Sequence, residues 1–104
     1  MKFLYAATLS AVAIFCMATV SHAQAPTNPY AAKCQMCHGA TGLGDTPAGK
    51  MMGARAFNAP DVIKQSDSDL LTVIKSGKGK MPAFAGKLTD PEMTALVAYI
   101  RKLQ

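Results

Sequence analysis

Cys34, Gln35, Met36, Cys37 and His38 spell Cys-x-x-Cys-His, and this stretch decides how the rest of the chain is read. On a helical turn, positions i, i+3 and i+4 share a face, so two thiols and an imidazole project together. That set suits covalent haem attachment, in which the thiols form thioethers to two vinyl groups and the imidazole ligates the iron. A dithiol redox centre would need a thioredoxin-like βαβ frame, and no strand pattern flanks these cysteines. A structural zinc site would need four Cys, His or carboxylate ligands in closed geometry.

Upstream, Met1 and Lys2 give a short basic start, Phe3 to Val20 are mostly apolar, and Ser21, His22 and Ala23 end the run around an A-x-A-like point. This pattern predicts a secretory leader over residues 1–23, cut after Ala23, and export to the bacterial periplasm. Thr8, Ser10 and Thr19 dilute the apolar run and nothing resembling a stop-transfer segment follows, so no stable membrane insertion is expected after cleavage. Cys16 and His22 leave with the leader. His38 is then the one histidine remaining, and Cys34 and Cys37 the two cysteines, too few for a zinc cage.

Residues 24–104 form one domain of a size at which side-chain burial alone is marginal and a staple is usual. A covalently held haem is such a staple, because its flat apolar ring supplies core that the chain lacks. Loss of Lys2 leaves ten basic against six acidic side chains, a net +4 before two haem propionates are counted. A modest positive balance suits a partner with an acidic docking surface. Nucleic acid fits poorly, since the lysines are dispersed and not interleaved with aromatics.

Pro29 can open a helix carrying Tyr30, Ala31, Ala32 and the two cysteines, which Gly39, Gly42 and Gly44 stop. Residues 39–60 show little periodicity and read as a long loop of the kind that wraps a ligand. A second helix starts at Ser66 as N-cap, with Asp69 three positions on and Leu70, Leu71 and Ile74 as its apolar stripe; Gly77 and Gly79 end it. Thr89 and Glu92 form a capping box for a last helix, where Met93, Leu96, Val97, Ile100 and Leu103 recur at helical spacing.

The residue opposite the proximal histidine decides between electron transfer, ligand binding and peroxide chemistry. Of the five methionines after the leader, Met36 lies between the tethering cysteines and Met93 on the stripe of the final helix, where methionine is ordinarily core filler. Met81 sits in Gly77-Lys78-Gly79-Lys80-Met81-Pro82, a flexible approach with a proline that fixes the chain just beyond it. Met81 is the candidate distal ligand, with Met51 and Met52, beside Gly53, as rivals. A distal histidine is missing from the mature chain, which argues against an enzyme of the peroxidase kind.

The run GKGKMPAFAGKL from Gly77 to Leu88, the following helix with Ala98, Tyr99 and Ile100, and Tyr30 ahead of the haem motif resemble the small monohaem class I cytochromes c. The resemblance spans residues 29–104 and is closest to the short bacterial and photosynthetic electron carriers. It implies an all-α fold in which helices wrap one covalently bound haem c and the terminal helices cross beside it, each giving an aromatic to the contact; Tyr30 and Tyr99 match those roles. In that family a proline after the haem motif lends its carbonyl to the ligand histidine, and Pro47 stands in the matching place.

The expected function is a soluble, monomeric one-electron shuttle with His38 and Met81 on the iron, exchanging electrons with redox partner proteins. The alternative is a haem-bearing subunit or domain partner of a larger dehydrogenase or oxidase. Lys50, Lys78, Lys80 and Lys87 lie in segments expected to frame the pocket and are the candidate docking charges.

Overall fold

The computed structural model describes residues 28–104; the predicted leader, its cleavage point and residues 24–27 lie outside the described residues. Six helices follow in order: α1 (Tyr30–Lys33), α2 (Gln35–His38), α3 (Pro47–Met52), α4 (Pro60–Ile63), α5 (Asp67–Ser76) and α6 (Asp90–Lys102). Among the described residues there is no strand, only the isolated bridges Lys78–Met81 and Ala85–Leu88.

α5 and α6 form where the sequence predicts them, for local reasons. Ser66 Oγ accepts the Asp69 N–H at 3.0 Å while the Asp69 carboxylate accepts the Ser66 N–H at 3.4 Å. Thr89 and Glu92 repeat the reciprocal pair at the start of α6. Such caps satisfy N–H groups that a helix start leaves unpaired, at about 1 kcal/mol each. Leu70 and Ile74 on α5 are buried, as are Met93, Leu96, Val97 and Ile100 on α6. The helices pack antiparallel: Arg101 near the end of α6 pairs with Asp67 at the start of α5 (2.8 Å), and Lys75 near the end of α5 with Asp90 at the start of α6 (3.5 Å). Arg101 also donates to the carbonyls of Ile63 and Gln65, tying the last helix to the link between α4 and α5.

The first helix differs from expectation. It breaks at Cys34 (φ −119°, ψ −35°) into two single turns, α1 and α2. Tyr30 explains the bend: its ring is buried and its hydroxyl donates to the Gly39 carbonyl at 2.6 Å. Nine residues of straight helix would separate the two positions by about 13 Å along the axis, beyond a tyrosine's reach. The Tyr30 and Tyr99 rings meet at 4.7 Å, so the aromatic contact between the first and last helices is present.

The expected loop over 39–60 also needs correction, because it contains α3 and the start of α4. Thr46 caps α3 by accepting the Gly49 N–H at 2.9 Å, Pro47 takes the first helical position, and Gly53 ends the helix in the left-handed region (φ 72°). These are ordinary start and stop signals, masked by the lack of an apolar period in Pro47–Met52. Thr46 Oγ1 also reaches the Met36 carbonyl at 2.6 Å, which pins α3 against α2. The approach is so close that a Cβ at Gly49 would overlap the Cys37 carbonyl oxygen.

Candidate functional site

A cavity of about 410 Å³ lies inside this shell, and Cys34, Cys37, His38 and Met81 all line it. Cys34 stands at the α1–α2 break, Cys37 and His38 on α2, and Met81 in the turn after α5. Phe57, Leu70, Ile74, Phe84, Leu96 and Ile100 complete an apolar wall. Core and cavity are therefore one feature, for these six side chains are buried outside while facing the space within.

The Cys34 and Cys37 thiols are free, and burial pushes the Cys34 thiol up to about 11. His38 stacks on Phe57 with ring centroids 4.6 Å apart and planes 23° from parallel. Burial holds the imidazole below its ordinary pKa, with the Arg55 backbone opposing that shift. The neutral ring is the form that binds metal. His38 Nδ1 is buried without a hydrogen-bond partner. No hydrogen bond joins His38 to Pro47, contrary to the expectation from the resemblance. Pro47 instead opens α3, where carbonyls serve amides four residues on.

Met81 is half-buried against the core. Its turn is closed by two backbone hydrogen bonds, Lys78 N–H to Met81 O at 3.2 Å and Met81 N–H to Lys78 O at 3.0 Å. Gly77 has φ 73°, and a Cβ there would stand 2.6 Å from the Met81 carbonyl, so the tight return over the cavity depends on glycine. Met52 lines the cavity too, at 43 % exposure, whereas Met51 is 76 % exposed and absent from the lining. Met36 is exposed on the outside and Met93 is core, as expected.

Of the four candidate docking lysines, Lys78 and Lys80 border the cavity and Lys50 and Lys87 do not. Lys50 lies on the outer side of α3 and Lys87 beyond the Phe84 turn, each carried off by a segment that closes on itself. Sequence reasoning missed Lys33 and Arg55, which also border it. Lys33 immediately precedes Cys34 and was legible from that position; Arg55 carries no local signal.

The donor set fits a covalently held haem. Among the described residues no three His, Cys, Asp or Glu side chains converge on one point as a bare-ion site requires. The thiols and imidazole instead line one apolar cavity, where they would hold a haem through the two sulfurs and a ring nitrogen. An all-helical shell around such a wall has the form of a small haem-binding domain.

Comparison with known proteins gives the same class. Residues 21–100 match the family model described as cytochrome c oxidase, cbb3-type, subunit III. The chain is 32 % identical over 69 residues to cytochrome c6 of Leptolyngbya boryana, covering 66 % of this chain and 78 % of that protein. It superposes with a TM-score of 0.66 on a c-type cytochrome, KustC0563, at 35 % identity, covering 72 % of this chain and 92 % of the other. The chain belongs to the cytochrome c family, with the small all-α fold of its monohaem members and the haem c electron-carrier character of that family. Among the described residues no helix is long and apolar enough to cross a membrane.

Proposed function

We propose that this protein is a soluble one-electron carrier that holds one haem c through thioethers from Cys34 and Cys37, with His38 and Met81 as axial ligands. The observation that carries the reading is the convergence of these four residues, from two segments distant along the chain, on one apolar cavity. Bound there, the haem supplies an iron that cycles between ferrous and ferric states. His38 contributes a neutral imidazole steadied by Phe57. Met81 is favoured over Met52 because its turn is closed by two hydrogen bonds and its side chain packs on the core, while Met52 sits exposed at the lip. A thioether is a weak donor that favours Fe(II), and apolar walls penalise the extra charge of Fe(III), so both raise the reduction potential.

A haem held in this cavity would supply one-electron chemistry with no substrate site needed beside it, so the reading is of a carrier and not an enzyme. Lys33, Arg55, Lys78 and Lys80 at the cavity border, with the net +4 after removal of the leader, suit a redox partner with an acidic docking surface. The leader read from residues 1–23 supports a periplasmic location, and the protein is read as a monomer. A second reading, a haem-bearing subunit of a larger oxidase, is favoured by the wording of the matched family model; a stoichiometric partner on purification from the native membrane or periplasm would select it.

Visible and near-infrared spectra in both oxidation states test the proposal. Haem that resists acid-acetone extraction and an Fe–S(Met) band lost in Met81→Ala but kept in Met52→Ala are expected. Extractable haem would refute the thioethers, and loss of the band in Met52→Ala alone would move the distal role to α3.

A further inference from the structure

His38 ends α2, but its place on the helix does not fix the plane of its ring, because the χ2 torsion of histidine is broad. A ligand histidine is usually oriented by a hydrogen bond from the ring nitrogen that the metal does not use. Among the described residues His38 Nδ1 makes none. The ring is gripped on a face instead: the Phe57 ring lies 4.6 Å away and 23° from parallel. Contact on a face leaves both nitrogens clear, so it can hold the imidazole without competing for the iron.

Phe57 is itself held fast. Its N–H donates to the Gly42 carbonyl at 2.8 Å, and the Gly42 N–H in turn donates to the carbonyl of Gly39, next to His38, at 3.2 Å. Its ring meets Tyr30 edge-on, with centroids 6.3 Å apart and planes at 62°. Gly42 also gives the ring its room: a Cβ there would stand 2.5 Å from Phe57 Cδ2, so the ring lies in a notch that only glycine leaves open. At 6 % exposure Phe57 is buried on the cavity wall, and a side chain so enclosed has one place to put its face.

We propose that Phe57 is a positioning residue that sets the plane of the His38 imidazole, seated for that task by Gly42. An imidazole joined to iron by a single bond can turn about that bond, and each turn changes which iron orbitals its π-system meets. Stacked on Phe57, the ring keeps one orientation as the iron changes oxidation state. That constancy suits a carrier, because a ligand that turned with each electron would add reorganisation to every transfer. Many apolar side chains could fill the volume of Phe57, but only a flat one holds the plane.

The inference rests on the proposed His38 ligation, and the test separates the two. Ferric holoprotein is saturated with cyanide, which takes the distal position. Cyanide is cylindrical, so the order and spread of the haem-methyl proton shifts then report the imidazole plane alone. Phe57→Leu, which keeps apolar bulk and loses the flat face, should change that order or spread, while Phe57→Tyr should keep the wild-type pattern. Gly42→Ala should act like Phe57→Leu by displacing the ring, and it reads the same contact should Phe57→Leu fail to hold haem. The double variant should go no further than Phe57→Leu alone. Met93→Ala, a core truncation outside the cavity lining, should leave the pattern unchanged. A wild-type pattern in Phe57→Leu and Gly42→Ala would overturn the role, as would an equal change in Met93→Ala, because Phe57 would then be core and nothing more. A wild type whose His38 ring protons carry no hyperfine shift would instead overturn the ligation.

Discussion

In α5 and α6 burial follows one helical stripe, Leu70 and Ile74 against Met93, Leu96, Val97 and Ile100. Between Gly39 and Ile63 the buried residues are Gly39, Gly42, Gly44, Gly49, Phe57 and Val62, which obey no period and include four residues without a side chain. The helical half fills space with side chains, while the proximal half brings backbones together by omitting them. Removed volume should therefore damage the first and added volume the second.

Met93→Ala tests the helical half and should have the largest effect. Met93 is 1 % exposed, and truncation at such a site costs about 3 kcal/mol through lost burial and the space left behind. Guanidinium denaturation of the holoprotein should show a lowered midpoint with an unchanged spectrum. A loss below about 1 kcal/mol would mean that the core closes over the gap.

Gly49→Ala reverses the logic. The new Cβ meets the Cys37 carbonyl, so α3 must move off α2, at a cost of about 2 kcal/mol. The haem spectrum should change with it, because Cys37 and His38 ride on α2, and Met93→Ala should show no such change. A stable, spectrally normal Gly49→Ala would break the contrast between the halves.

Tyr30 joins the halves through its hydrogen bond to Gly39 and its ring contacts to Phe57 and Tyr99. Tyr30→Phe leaves the Gly39 carbonyl without that donor, for a loss of about 1 to 1.5 kcal/mol. The pH dependence has a definite sign. With Cys34 as a free thiol, burial, then the charges of Cys34 and Tyr99, push the phenol from 10.0 to about 12; burial, the largest cause, persists when Cys34 is held as a thioether, so the unfolded chain ionises first. Stability that is full below pH 10 should fall as the pH rises towards 12, and Tyr30→Phe should remove this part of the alkaline loss. Identical alkaline profiles would show that the phenol is not shielded.

The smallest effect should come from Gly53→Ala. No atom lies within 4 Å of a Cβ there, and only the left-handed backbone (φ 72°) resists the change, at about 1 kcal/mol. Set beside Gly49→Ala, it separates backbone strain from steric overlap within one helix. A loss equal to that of Gly49→Ala would assign both to strain.

Neighbouring residues were enough to mark the haem motif and to build the regular half. Cys34, Cys37 and His38 are adjacent, Ser66–Asp69 and Thr89–Glu92 cap their own helices, and the α6 stripe repeats every three or four residues. All of these signals act within a turn or two of chain. The Met81 turn was legible for the same reason, since its glycines and proline lie within five residues of the methionine.

Features that depend on chain closure emerge only once distant segments pack. The break at Cys34 follows from Tyr30 reaching Gly39, and the seat of α3 from Thr46 reaching back to Met36. The presence of Met52 but not Met51 in the lining, of Arg55 and not Pro47 beside His38, and of Lys78 but not Lys50 at the mouth was equally out of reach. The physical reason is that periodicity and capping are local free-energy terms written in neighbouring residues. Which side chains face a shared cavity is set by packing between segments that are distant along the chain, and glycines such as Gly49 show that need only when the opposing backbone is in place.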